Sequence, residues 1–214
     1  MMLKLAILAT GLVCAAQVGA TEIPLKNADF EQAIKGPRIP GWSRTQHAGV
    51  GAYEVSSDTA SFSQGKQSLR MRRTTEQVYG LIMQRVESDS LAGKQVELVA
   101  SLKTAKVGKK GWVMLLNFKN HNNVIDQVRA APLVGNTKWK DVTIRKLAPP
   151  NTTAIEVGFM LLDGGTGWID NVRLRTVDEA VVEHPIEHVV LAIRCALGVD
   201  DGVEGGRGLG QAGE

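Results

Sequence analysis

The chain has 214 residues, 43% of them hydrophobic, with 25 Lys and Arg against 22 Asp and Glu. That length supplies one substantial core, and the near balance of charge, with no block of one sign, excludes an electrostatic nucleic-acid binder. Two cysteines, Cys14 and Cys195, exclude a scaffold built on several disulfides.

The first residues read as a targeting signal. Lys4 supplies the positive end, Leu5 to Val13 the apolar run, and Val18-Gly19-Ala20 a small-residue cleavage site before Thr21. The run falls short of the roughly 20 apolar residues that span a bilayer. Cys14 would be the lipidation point of a lipoprotein, but Val13 is larger than the residue such a signal wants before its cysteine. The expected mature chain is therefore periplasmic or secreted, with no membrane span. Cys14 leaves with residues 1–20, so Cys195 has no intrachain partner.

After the signal, Leu25 and Phe30 can anchor an edge strand, and Gly36-Pro37 and Pro40-Gly41 punctuate a loop delivering Trp42 as a core-capping aromatic. Gly51 to Val55 is a short strand, followed by polar loop to Gln64. Gly65 turns into Leu69-Arg70-Met71-Arg72, with Leu69 and Met71 inward. Val78 to Val86 is a further strand. Leu98, Ala100 and Leu102 mark one face of the next, and Lys106 to Gly111 reads as a basic hairpin loop. Trp112 to Phe118 is apolar on both faces, as in a central strand or one lining a cleft. Lys119 to Thr137 reads as a long loop of the kind that holds binding groups. Lys138 to Ile144 resumes the alternation, and Ile155, Val157, Phe159 and Leu161 line one face of the penultimate strand.

The closing strand is Thr166 to Leu174. Alternation places Trp168, Asp170, Val172 and Leu174 on one face, so the Asp170 carboxylate points to the core or its rim. There it must be paired, hydrogen-bonded or cation-bound. Short alternating strands without a strong interior helix predict an all-β antiparallel sandwich, a jelly roll, over residues 21–177. Residues 178–214 form an appended tail: a short amphipathic helix over 180–197, then a glycine-rich disordered stretch.

Several motifs occur in one order: Asn27-Ala28-Asp29-Phe30-Glu31, Pro40-Gly41-Trp42, Gly65-Lys66-Gln67-Ser68-Leu69, Leu91-Ala92-Gly93-Lys94, Thr137-Lys138-Trp139-Lys140 and Trp168-Ile169-Asp170-Asn171-Val172. Together they resemble the galactose-binding-like jelly rolls, including carbohydrate-binding modules of secreted hydrolases, and are similar to non-catalytic jelly-roll domains of some secreted peptidases. The resemblance covers residues 22–176 and implies two roles. One is a structural calcium between the chain ends, held by Glu31 and Asp170 with carbonyls near Lys66. The other reading of Asp170 is an acceptor for backbone amides of a neighbouring turn. The second role is sugar binding on the concave sheet face, with Tyr79, Trp112 and Phe118 stacking on rings and Gln84, Arg85, Asn117 and Asn120 binding hydroxyls. The other reading of Trp112 is a buried strand residue. Trp139 and Trp168 match structural positions.

No catalytic constellation emerges. Asp29 and Glu31 lack the second wall of a glycosidase cleft, and Gly164 to Gly167 is a turn lacking the Lys-Ser/Thr ending of a phosphate loop. His184 and His188 have helical metal-ligand spacing, but Pro185 lies between them and a solvated face accounts for them. Asn151-Thr152-Thr153 fits a glycosylation acceptor. The expectation is a non-enzymatic module with a glycan or cell-surface polymer as partner. The alternative is a structural or protein-interaction scaffold, which a closed, aliphatic face would indicate, whereas an open groove with exposed rings would indicate binding.

Overall fold

A computed structural model describes residues 19–47, 51–88 and 90–177. The signal segment up to residue 18, Cys14, the expected helix over 180–197, His184, His188, Cys195 and the glycine-rich tail lie outside the described residues.

The described residues form ten strands and no helix: β1 (Ala20–Ile23), β2 (Ser43–Gln46), β3 (Tyr53–Asp58), β4 (Ser68–Arg73), β5 (Gly80–Glu87), β6 (Gln95–Asn120), β7 (Asn123–Arg129), β8 (Leu133–Leu147), β9 (Ala154–Leu161) and β10 (Thr166–Val177). All pairings are antiparallel. The first layer runs β3-β4-β10-β6-β8, with β1 beside the far half of β10. The second runs β2-β5-β9-β6-β7. This is the expected all-β antiparallel sandwich.

Alternation accounts for the core between the layers. Leu98, Ala100 and Leu102 enter it from the first half of β6, and Ile155, Val157, Phe159 and Leu161 enter it from β9. Trp42 caps it, its indole donating to the Asn27 carbonyl at 3.2 Å and its ring 5.3 Å from that of Phe30.

Four local expectations are corrected. Residues 106–111 are not a hairpin: β6 runs through them and changes layer, its first half pairing β10 and β8 and its second half pairing β9 and β7. Lys106 (φ 55°) and Gly111 (φ 86°) redirect the strand at this corner. Residues 119–137 are not one loop; β6 and β7 form a tight hairpin about His121-Asn122, and β8 follows. The edge strand expected about Leu25 and Phe30 is confined to β1; both residues lie outside it, flanking a turn over 26–29, with Asn27 and Phe30 at positive φ. Finally, a register shift between Asp170 and Arg173, with Asn171 at φ 49°, breaks the alternation of β10. Ile169, Val172 and Leu174 are therefore core residues, and Trp168 faces outward under Lys103, its indole donating to Asp58 at 2.8 Å.

The β9–β10 turn depends on Gly165. It sits at φ +104°, and a Cβ there would lie 2.4 Å from the Lys106 carbonyl oxygen at the β6 corner. Gly165→Ala should lower unfolding free energy by about 2 kcal/mol, from backbone strain together with the clash. Urea denaturation measures it, and a stability equal to wild type would contradict this packing.

Candidate functional site

The outer face of the second layer carries a row of polar side chains that register places side by side. Arg85 on β5 is opposite Glu156 on β9, which is opposite Asn117 on β6, which is opposite Gln127 on β7. Asn117 donates to Glu156 (3.2 Å) and accepts from Gln127 (2.7 Å). Glu156 is only 7% exposed and needs its cations: Lys119 at 2.9 Å and Arg85 at 3.8 Å. Arg129 completes the row by donating to Gln127 at 2.9 Å.

Arg85 is the hub. Besides Glu156 it reaches Glu87 (2.5 Å) and the His121 carbonyl (2.6 Å). Its guanidinium holds the Glu87 carboxyl below the usual carboxylate range. Two depressions share Arg85 and Glu87. One, of about 510 Å³, continues over Ser88, His121, Asn122 and Thr153; the other, of about 430 Å³, continues over Met83, Ser43, Lys26 and Pro24. Together they make a trough of mixed polar and apolar lining at one end of β5.

The predicted sugar-binding residues divide between this face and the core. Arg85 and Asn117 belong to the row, and Asn120 lies beside it, its Oδ1 2.6 Å from His121 Nδ1. Gln84 faces the other way on β5 but borders the second depression, where it pins the chain at Lys26, accepting from its N–H (2.7 Å) and donating to its carbonyl (2.9 Å). Tyr79 precedes β5 at the end away from Arg85, half-buried, its ring 5.9 Å from that of His47. Trp112 and Phe118 are both 0% exposed, which corrects their reading as stacking platforms. Both are core residues. The second half of β6 is apolar on both faces, so its sequence carried no parity to say which residues turn inward.

Beside the polar row the outward positions are aliphatic, and Val113 and Leu115 among them are buried. Leu81, Met83, Val113, Leu115 and Met160 share the outward parity, and Gly158 leaves the space that seats Leu115 and Leu81. Sequence reasoning missed Glu156, Gln127, Lys119 and His121. An available signal was Glu156 standing alone between Ile155 and Val157: a charge inside an apolar strand needs a partner.

Glu31 and Asp170 hold the same turn. Asp170 is 1% exposed; its Oδ2 accepts the amides of Ser63 (2.7 Å) and Gln64 (3.0 Å), and its Oδ1 that of Asn171 (2.8 Å). Burial pushes its carboxyl pKa up, and these amides hold the rise back. Glu31 Oε1 accepts the amides of Lys66 (2.8 Å) and Gln67 (3.3 Å). The amide-acceptor reading of Asp170 thus describes its contacts. For calcium, hard carboxylate oxygens are the right donor type, and both carboxylates border residues 63–67. Among the described residues there is no group of three His, Cys, Asp or Glu side chains that could hold a metal ion, so main-chain carbonyls would have to supply most ligands.

No protein-family model matches the chain, and no curated protein matches it in sequence. Solved structures match in fold. The enzymatically active domain of tailspike protein 4 from bacteriophage CBA120 is 17% identical, with a TM-score of 0.57 over 73% of this chain and 21% of that one. The Stig cyclase Fisc from Fischerella sp. TAU is 15% identical, with a TM-score of 0.56 over 74% of this chain and 98% of that one. The CBM22-1–CBM22-2 tandem domain of Paenibacillus barcinonensis Xyn10C is 19% identical, with a TM-score of 0.51 over 79% of this chain and 49% of that one. The fold that these structures share with the chain is the antiparallel β jelly roll. At such identities the likeness speaks to architecture, and the jelly roll hosts both enzymes and binding modules.

Proposed function

We propose that the chain is an exported, non-catalytic, carbohydrate-binding-like module whose glycan lies in the trough over Arg85. The observation that carries this reading is the pair of depressions sharing Arg85, walled by hydroxyl, amide and charged groups with Met83 and Pro24 as apolar floor. Sugars need that mixture of directed hydrogen bonds and small apolar surface. Glu87 and Glu156 are both engaged by Arg85, which favours binding over acid catalysis. Export is supported by the apolar run over residues 5–13 and the small residues before Thr21, where cleavage would leave Thr21 paired with Thr176 in β1. The calcium reading is supported by the shared turn of Glu31 and Asp170.

The test is retention on a panel of insoluble and soluble polysaccharides. Wild type should bind at least one, and Arg85→Ala should weaken binding at least about tenfold. No binding to any polysaccharide would remove this reading. A scaffold or protein-interaction domain is the second reading, favoured by the burial of Trp112 and Phe118 and by the aliphatic outer face. It predicts a stable, monodisperse domain with no glycan affinity.

A further inference from the structure

The opposite face of the sandwich carries a second group of uncommitted polar atoms. Of the chain's four tryptophans, three are accounted for. Trp42 donates to Asn27, Trp168 to Asp58, and Trp112 is sealed in the core. Trp139 on β8 differs. It is half-buried, and its indole N–H makes no hydrogen bond among the described residues.

Trp139 is one wall of a depression of about 340 Å³ on the outer face of the first layer. Three strands and a turn build the rest, β6 contributing Ser101. β8 brings Lys140 and Asp141, β10 brings Asn171 and Arg173, and the turn held by Asp170 brings Gln64. Asp141 accepts from Ser101 (2.6 Å) and pairs with Arg173 (3.1 Å), which brings a carboxylate and a guanidinium together beside the indole. The side-chain amides of Gln64 and Asn171 and the Lys140 ammonium have no hydrogen-bond partner among the described residues. An aromatic plane next to planar groups that bind in bidentate fashion is the chemistry that recognises a pyranose ring and its neighbouring hydroxyls.

We propose that this depression is a second carbohydrate site, taking a single pyranose residue such as a chain end or side branch, with Trp139 under the ring and Asp141 and Arg173 on adjacent hydroxyls. It rests on the reading above only for its ligand class; its residues are separate from the Arg85 trough and on the other layer.

The test is a two-dimensional amide spectrum of the 15N-labelled chain during titration with galactose, glucose, xylose, mannose and glucuronate, followed by their short oligosaccharides. Trp139→Phe identifies the Trp139 indole signal by its loss. The expected result is saturable movement of that signal and of the Asn171 and Gln64 side-chain amides with at least one sugar. Trp139→Ala and Arg173→Ala should weaken it at least about tenfold, while Arg85→Ala leaves it unchanged. Movement confined to His121, Asn122 and the rest of the trough would overturn the second site and leave the proposed function standing. A spectrum that no sugar moves would overturn both, and Trp139 movement that survives Arg173→Ala at full affinity would overturn the assignment of Arg173.

Discussion

Trp112→Ala should cost the fold about 3–5 kcal/mol, the range for emptying a buried tryptophan site. The indole is wholly buried, stacked at 6.3 Å from the Phe159 ring and seated over Gly167, where a Cβ would approach it to 2.5 Å. No flexible surface group can collapse into the space, because strand backbone and ring form its walls. Trp112→Phe should cost less than about 2 kcal/mol, since it keeps the aromatic contact and removes an indole N–H that is buried without a hydrogen-bond partner. Urea denaturation with an unchanged m-value would report both effects. Loss of glycan binding at wild-type stability in Trp112→Ala would mean the ring lies on the surface after all.

Asp170→Ala should cost about 3 kcal/mol, because it strips the acceptor from three main-chain amides, two of them in the turn that closes over the strand end. Its pH signature is distinctive. The folded pKa of Asp170 is raised above 3.8, so its titration contributes stability that is fully present below 3.8 and lost as pH rises through the raised folded value. Glu97 behaves in the opposite sense. It is 1% exposed, and burial pushes its pKa up, but Arg145 and Arg175 together outweigh burial and hold it below 4.5. Its contribution is present above 4.5 and is lost as pH falls through the lowered folded value. The stability difference between wild type and Asp170→Asn should therefore shrink with rising pH in acid, and that against Glu97→Gln should grow. Slopes of the same sign would sink the argument. With the proposed calcium bound, Asp170 would stay ionised, and a chelator should lower the melting temperature by an amount that added calcium restores. An unchanged melt would dismiss the ion.

How far each residue could be read from sequence follows from what alternation encodes. Where a strand alternates apolar and charged residues, as in Leu69-Arg70-Met71-Arg72 or Ile155-Glu156-Val157, the period of two assigns inward and outward without ambiguity, and the core list from β4 and β9 follows. The run Trp112 to Phe118 has no wet face, so parity was undetermined there, and the two rings read as candidate platforms turned out to be buried.

The sequence by itself determined the class of fold, the inward residues of β4 and β9, the capping role of Trp42 and the need of Asp170 for partners, because each rests on local periodicity or on the cost of an unsatisfied buried group. The tertiary structure alone decided three things. The positive-φ residues at the β6 corner carry one strand through both layers where a hairpin was expected. The register shift after Asp170 turns Trp168 outward and Ile169 inward. Side-by-side pairing of β5, β9, β6 and β7 brings Arg85, Glu156, Asn117 and Gln127 into one row although they come from four strands spread from residue 85 to residue 156. Strand order is a property of long-range hydrogen bonding, and no local pattern in the chain records which strands will lie next to one another.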